Sequence, residues 1–168
     1  LFRSAPVAGE LGDIKFGADG TVTLYTGSHD HGQGHWTTFA QVLSAELGIP
    51  FEKITIRQTD TDELRAGSGT GGSKSLMCSG TAIVEASAKV VEKGKQAASH
   101  FLEAAVADIQ FGKGRFTVAG TDRSIHIMEV AQKLRTAKLP EGAPASLDVE
   151  HVSSAKPATF PNGCHVCE

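Results

Sequence analysis

Two glycine-rich turns hold the residues of this sequence that are best suited to bind a ligand. The first turn has Gln33 between Gly32 and Gly34, and the second runs from Gly67 to Ser75 as GSGTGGSKS. Each turn leads into a helical pattern, and the start of a helix leaves backbone N–H groups unpaired and carries partial positive charge. Because glycines let a backbone approach a ligand closely, the two turns predict a long, phosphate-bearing ligand held at two places.

The polar side chains of the two turns suit hydrogen bonding to such a ligand. The Gln33 amide offers a donor and an acceptor to the edge of a heterocycle or an oxo ligand, and its glycine neighbours leave the approach open. Ser73, Lys74 and Ser75 stand at a predicted helix start and suit a phosphate. The alternative is that both turns are plain loops that lead into helices.

The second turn contains a GxGxxG pattern, but its context differs from that of two common phosphate-binding motifs. In a dinucleotide-binding βαβ unit the glycines follow the strand directly and an acidic residue comes about 20 residues later. Here a loop separates the strand from Gly67, and the acids Glu85 and Glu92 fall inside the helix itself. The P-loop pattern fails by one position, because Ser73 displaces Lys74.

Histidines and cysteines offer a different hypothesis, a small zinc-binding interaction domain. His29, His31 and His35 cluster in the first turn, and Cys164 and Cys167 are potential further ligands. Alternation through the C-terminal CHVCE run would place the two cysteines on opposite faces of a strand. That alternation favours ordinary strand residues over metal ligands.

Composition indicates one soluble globular domain. The chain has 168 residues, of which 40% are hydrophobic and 21% charged. A net charge of -3 gives no reason to expect nucleic acid or an anionic membrane as a partner, and no apolar run approaches the roughly 18 residues that span a bilayer. The 3 cysteines are too few and uneven for a disulfide framework, so we expect a reducing, cytoplasmic location.

Periodicity and turn signals predict a layered α+β domain of β-hairpins and helices. Residues 1–12 and 140–147 are linker-like in composition, and a bend or break is expected at Gly94. The chain has no initial Met, and its last residues fall inside a predicted strand, so we expect residues 1–168 to be a fragment of a longer polypeptide. The predicted helices are 35–47, 75–106 and 127–134, and the predicted strands are 13–16, 21–25, 51–58, 109–111, 115–118, 147–152 and 163–167.

Taken in register, the motifs closely resemble the large, molybdenum-binding subunit of the xanthine oxidase family of molybdenum hydroxylases. Bacterial carbon monoxide dehydrogenase large chains and aldehyde oxidoreductases belong to that family. The resemblance extends from about Asp19 to the end of the chain. It is carried by His31-Gly-Gln-Gly-His35-Trp-Thr-Thr-Phe-Ala-Gln, Glu46-Leu-Gly-Ile-Pro50, Asp60-Thr-Asp62, Gly69-Thr-Gly-Gly-Ser-Lys-Ser75 and Phe160-Pro-Asn-Gly163.

The resemblance implies a cofactor and a reaction. In this family a molybdopterin, commonly a cytosine dinucleotide in bacterial members, holds molybdenum through its dithiolene. The metal centre hydroxylates an aldehyde, an N-heterocycle or carbon monoxide with oxygen from water. By resemblance Gln33 would lie near the molybdenum, Gly32, Gly34 and His35 would help to hold the cofactor, and its pterin and phosphate portions would meet Gly72, Ser73, Lys74 and Ser75. Relatives commonly have Arg at position 74, and Lys gives no bidentate grip.

The family's catalytic glutamate lies in a GVGE-like segment that this sequence lacks. The upstream substrate loop, the iron–sulfur cysteines and the flavin domain are also absent, so the expected partners are the rest of the large subunit and iron–sulfur and flavin subunits or domains. We therefore expect the fragment alone to have no hydroxylase activity and no bound cofactor. The alternative function is an independent nucleotide- or phosphate-binding module that uses the Gly67–Ser75 loop.

Overall fold

The computed structural model describes residues 9–58, 60–154 and 157–160, which form two three-stranded sheets and the helices packed on them. This confirms the predicted α+β class. Within the described ranges no helix is both long and apolar enough to cross a bilayer. The strands are β1 (Asp13–Phe16), β2 (Val22–Thr26), β3 (Ile54–Gln58), β4 (Ile109–Gly112), β5 (Arg115–Val118) and β6 (Ser124–His126), and the α-helices are α1 (His35–Leu47), α2 (Thr81–Phe101) and α3 (Ile127–Leu134).

The first sheet has the order β1-β2-β3 and sets the geometry of the candidate site. β1 pairs with β2 in an antiparallel hairpin, and β2 pairs with β3 in parallel, with Leu24 opposite Ile56. Parallel pairing requires a crossover between the two strands, and α1 supplies it. The carboxyl ends of β2 and β3, Thr26 and Gln58, are register partners, so the chain leaves both strands at the same edge of the sheet.

Helix α2 is the long central element of the core. Its buried face packs against α1, β1 and the second sheet, whose antiparallel order is β4-β5-β6. The helix is continuous from Thr81 through Gly94 to Phe101, so the expected break is absent. A Cβ at Gly94 would lie 2.1 Å from Cζ of Phe116. Glycine is needed at this position because α2 and β5 approach each other closely.

The second helix differs from its prediction at both ends. A π-helical turn, Leu76–Gly80, precedes α2, and the α-helix ends at Phe101 instead of near Val106. Glu103 adopts a left-handed φ of 48°, which stops the helix, and a 3₁₀ turn covers Val106–Asp108. The apolar spacing continues beyond both ends of α2, and the spacing of apolar residues does not predict where the backbone changes conformation.

Two strand predictions were also wrong in detail, and one strand was missed. The stretch predicted as strand 147–152 makes only isolated bridges, Leu11 to Val152 and Ile14 to Val149, alongside β1. Residues Phe51–Lys53 form a 3₁₀ turn before β3, and the short β6 was not predicted. The predicted strand 163–167 lies outside the described residues.

The stretches interpreted as linkers contribute to the core. Glu10 and Leu11 are fully buried, and Gly12 donates its N–H to the carbonyl of His151. Leu147, at the end of the second stretch, is also buried. Polar and small residues made both stretches resemble linkers, but Glu10 and Leu11 of the first and Leu147 of the second are buried. Residues 1–8 lie outside the described ranges.

Candidate functional site

The two glycine turns meet and line one pocket of about 490 Å³. They meet because the parallel strands β2 and β3 end at the same edge of the sheet, where binding sites commonly form. The pocket is therefore the joint product of both turns. Its walls are His31, Gln33, His35, Thr38 and Phe39 from the first turn and α1, and Thr70, Gly71, Ser73, Ser75 and Leu76 from the second turn and the π-helical turn.

The loops cross at a contact that only glycines permit. A Cβ placed on Gly27 would lie 2.2 Å from Cα of Gly67. The fully buried carboxylate of Glu10 holds this crossing: Oε1 accepts the N–H of Gly27 at 2.9 Å, and Oε2 accepts the N–H and hydroxyl of Ser68 at 3.3 and 3.2 Å. One side chain thus fixes the start of both loops.

Thr70 joins the two turns again beside the pocket. Its Oγ1 accepts the backbone N–H of His29 at 2.9 Å and lies 3.1 Å from Oγ of Ser75. The hydrogen bond between the two hydroxyls uses one of their two protons. The other proton remains for an acceptor in the pocket.

The N-terminus of α1 already holds an anion, the carboxylate of Asp30. Oδ1 accepts the N–H of Gly32 at 2.7 Å and Oδ2 accepts that of His35 at 2.6 Å. Desolvation raises the pKa of Asp30, but the N–H donors of Gly32, His35, Gly34 and Trp36 outweigh it and hold that pKa below its usual range. Because Asp30 occupies the start of α1, we keep the hypothesis of a phosphate-binding turn only for the second turn.

The Gln33 amide is folded back over its own turn. Its Oε1 accepts the N–H of His31, and its Nε2 donates to the carbonyl of His29 at 3.0 Å. An amide has a second N–H and a second lone pair, and these are the groups left for a ligand. The turn thus holds Gln33 in place at the wall of the pocket.

His35 is a buried, neutral wall of the pocket. Desolvation lowers its pKa, and the neighbouring His31 and His29 add to this, while Asp30 opposes it. Its ring stacks on Phe39 with 4.5 Å between centroids, and Nδ1 lies 3.3 Å from Nε2 of Gln58. With Nδ1 as the acceptor, the proton of the neutral ring is on Nε2.

A buried row of hydroxyls anchors the π-helical turn beneath the pocket. Thr26, at the end of β2, donates its hydroxyl to Oγ of Ser79 at 3.0 Å, and Ser79 donates to Oγ of Ser28 at 2.9 Å. All three side chains are fully buried. Buried hydroxyls that satisfy one another rigidify their surroundings, so the second turn is attached to the edge of the sheet.

The second turn is shaped by its backbone. Gly72 and Ser73 take left-handed φ values of 58° and 55°, and Lys74 turns inward, where Nζ donates to the carbonyl of Ser68 at 2.9 Å. Gly71 differs from these residues. Its φ is not left-handed, and a Cβ there would meet nothing within 4 Å. Neither the backbone conformation nor the packing of the described residues requires glycine at position 71.

The residues predicted from the sequence divide into two groups. Gln33, His35, Ser73 and Ser75 line the pocket, whereas Gly32, Gly34, Gly72 and Lys74 shape the turns behind it.

Sequence reasoning missed Asp30, Thr70 and Glu10. The Asp-His-Gly run signalled the turn at Asp30, because Asp side chains commonly accept the N–H two residues on. Glu10 had no local signal, since its partners Gly27 and Ser68 are 17 and 58 residues away.

The zinc hypothesis finds two neighbouring imidazoles but no third ligand among the described residues. The rings of His29 and His31 lie 4.2 Å apart. In the described part of the chain no group of three or more His, Cys, Asp or Glu residues is placed to hold a metal ion. Cys164 and Cys167 lie outside it.

The chain matches a known protein family over almost its whole length. A family model described as "Molybdopterin cofactor-binding domain" matches residues 3–168. The chain belongs to the molybdopterin cofactor-binding domain family. The resemblance inferred from the two glycine turns is thereby confirmed.

The chain is similar to segments of two large subunits and of a solved dehydrogenase structure. The carbon monoxide dehydrogenase large chain of Hydrogenophaga pseudoflava is 33% identical over 92% of this chain, and the nicotine 6-hydroxylase large subunit of Paenarthrobacter nicotinovorans is 32% identical over 90%. A crystal structure of Cu,Mo-CO dehydrogenase in its carbon monoxide reduced state superposes with a TM-score of 0.81 and 30% identity over 87% of this chain. The chain spans 19% of the length of each.

Proposed function

We propose that this domain forms part of the cofactor site of a molybdenum hydroxylase large subunit, with the pocket between the glycine turns holding a molybdopterin dinucleotide. Gly71 is the observation that carries the proposal. It lines the pocket, and its missing side chain is explained neither by φ nor by internal packing. A group from outside the chain that lies against the backbone here explains the glycine.

The chemistry of the walls fits such a cofactor. Thr70, Ser73 and Ser75 supply hydroxyl donors on the side of the second turn, where phosphate oxygens need them. The neutral His35 and the Gln33 amide line the first turn and suit the donors and acceptors of a pterin. Asp30 keeps a phosphate away from α1. The proposed orientation is therefore pterin and molybdenum towards the first turn, with phosphates towards the second.

When bound, the molybdenum centre supplies the oxidation of a substrate with oxygen taken from water. The residues of this chain bind and orient the cofactor, and the general base belongs to a part of the subunit outside residues 1–168. The cofactor proposed is the cytosine dinucleotide form. Iron–sulfur and flavin subunits or domains are the proposed electron acceptors, in the cytoplasm.

The substrate is set elsewhere in the subunit. The two relatives are named for carbon monoxide and for nicotine, yet they match this chain to a similar degree. Since enzymes with such different substrates share this segment, we propose that it serves the cofactor in each of them and leaves substrate choice to other segments.

The test compares two glycine substitutions in the full-length protein, made in a host that synthesises the cofactor. Gly71→Val places a side chain against the proposed cofactor. Gly112→Val is the matched control, since a Cβ at Gly112, in β4, also meets nothing within 4 Å. We expect Gly71→Val to reduce molybdenum and released nucleotide roughly tenfold or more, a change of about 1.4 kcal/mol or more in binding free energy.

Gly112→Val should keep the wild-type content of both. Equal molybdenum and nucleotide in the two variants would show that the pocket does not hold the cofactor.

A further inference from the structure

The outer face of α2 carries a groove of about 800 Å³, larger than the pocket between the turns and on another part of the surface. Its floor is Val84, Ala88 and Val91, on one stripe of the helix. Glu46, at the end of α1, lies on its rim. Val84 is 42% exposed, so the floor presents apolar side chains to whatever covers it.

A buried hydroxyl lies at the floor of this groove without a partner. Ser87 lines the groove and is 1% exposed, and its Oγ makes no hydrogen bond within the described part of the chain. The great majority of buried polar side-chain atoms in proteins have a partner. A polypeptide that brings an acceptor to the floor of the groove would supply one here.

The rim carries a carboxylate that the domain does not neutralise. Glu46 is exposed in the last turn of α1, where the helix dipole disfavours negative charge, and that turn holds no basic residue. Among the described residues Glu46 has no ion pair, whereas Glu92 pairs with Lys95 at 3.6 Å and Glu150 with Arg65 at 2.5 Å.

The lysines of the groove are held by the domain itself. Lys89 contacts Nδ1 of His151 at 2.8 Å, and Lys93 donates to the carbonyl of Asp148 at 2.5 Å. Neither is positioned to neutralise Glu46. The groove therefore matches a surface that is apolar at its centre and basic at one edge.

We propose that a segment of the same subunit from outside residues 1–168 fills this groove, with apolar side chains on Val84, Ala88 and Val91 and a Lys or Arg that reaches Glu46. The inference rests on the proposed function, which places the domain in a larger subunit. Because the chain spans 19% of the length of its relatives, about four-fifths of such a subunit has to pack somewhere, and this groove offers it exposed apolar side chains.

The test is a photo-crosslink in the full-length subunit. Benzoylphenylalanine replaces Ala88, which is exposed on the floor of the groove, and the adducts are mapped by mass spectrometry. We expect one dominant adduct to a peptide of the same chain from outside residues 1–168. Adding Glu46→Lys should lower its yield at least threefold, while Glu141→Lys, an equal charge change at an exposed residue outside the groove, should leave the yield unchanged.

A smaller substitution serves if the bulky residue impairs folding. In the native full-length subunit the thiol of Ala88→Cys should react with a maleimide at least tenfold more slowly than that of Ala119→Cys, since Ala119 is exposed away from the groove.

An adduct to a second copy, to a different polypeptide or to residues 1–168, or equal maleimide rates at the two positions, overturns the proposal. Molybdenum and nucleotide contents of the wild-type preparation are measured separately. A failure of the docking proposal is thereby distinguished from a failure of the proposed function.

Discussion

Glu10 and Asp30 shape the pocket, each by accepting backbone N–H groups from a glycine turn. Asp30 acts within its own turn, on residues 32 and 35, whereas Glu10 joins Gly27 to Ser68 across the fold. The pocket walls thus depend on side chains that do not line the pocket themselves. Substitutions at these positions report on the scaffold, while Gly71→Val reports on the ligand.

Glu10→Ala should destabilise the 168-residue chain by about 2–4 kcal/mol, because each buried donor left unsatisfied costs about 1–3 kcal/mol. Urea unfolding measures this. Limited proteolysis should also cut the loop at residues 60–75 faster in the variant. Glu52→Ala, at an exposed position, should stay within about 0.5 kcal/mol. If the two variants are equally stable, the Glu10 carboxylate does not hold the loops.

Gly94→Ala should also destabilise the chain, although alanine favours a helix by up to about 1 kcal/mol over glycine. The added Cβ would lie 2.1 Å from Phe116, and overpacking typically costs about 1–3 kcal/mol. Urea unfolding should therefore show a net loss. Phe116→Leu combined with Gly94→Ala should lose less than the sum of the two single changes, and strict additivity would refute a clash between these residues.

At the scale of elements, the β2–α1–β3 crossover is what creates the site. Parallel pairing places Thr26 and Gln58 side by side, and each strand then leads into one glycine turn. The same logic explains why the turns form a single pocket although they lie far apart in the sequence. Helix α3, which lines no part of this pocket, depends on a titratable cap.

The stability of the chain should fall as the pH falls below about 6.5. His126 caps α3 by accepting the N–H of Met128 at Nδ1, and desolvation and then Arg115 lower its pKa below the ordinary 6.5. Between 6.5 and the folded-state pKa the unfolded chain binds a proton that the folded chain does not, so unfolding is favoured. His35, whose pKa is lowered mainly by desolvation, acts in the same direction.

Urea midpoints at pH 7.5 and 5.5 measure this effect. His126→Asn keeps an acceptor at the cap without a titrating ring, so the variant should lose less stability over that interval than the wild type. An identical loss in both would exclude His126 as a contributor. Asp13 has the opposite effect on stability. Burial raises the pKa of its carboxyl above the ordinary 3.8, so the folded chain takes up this proton first and gains stability as the pH falls.

At the scale of the molecule, the pocket is open beside exposed apolar residues. Leu76 is 64% exposed on its wall, and Trp36, next to His35, is 53% exposed. Such surfaces commonly mark contacts with other protein segments. Together with the 19% coverage of the relatives, these exposed side chains support the proposal that segments outside residues 1–168 complete the walls of the pocket.

The isolated 168-residue chain should therefore retain no molybdenum cofactor after desalting and show no substrate-dependent dye reduction. The full-length protein from the same host should show both. Steady dye reduction by the isolated chain would refute this prediction. Micromolar binding of a free nucleotide to the isolated chain, abolished by Gly71→Val, would instead support the independent phosphate-binding module.

Features that depend on neighbours along the chain could be predicted from the sequence. α1 and α3 follow from apolar spacing, the hairpin of β1 and β2 from Asp19-Gly20, and the two turns that line the pocket from their glycines. Motifs in register were enough to indicate the family. These signals are local because helix periodicity, turn conformation and backbone freedom involve residues a few positions apart.

The way the two turns combine, and the occupation of the first helix start by Asp30, could not be predicted from the sequence. The turns meet because β2 pairs with β3, and Glu10 holds them together. The reason for glycine at position 94 is its close contact with Phe116. Asp30 occupies the first helix start because the turn folds its carboxylate onto that helix. Each involves a contact made through space, and the spacing of residue types along a chain does not encode which distant groups will meet.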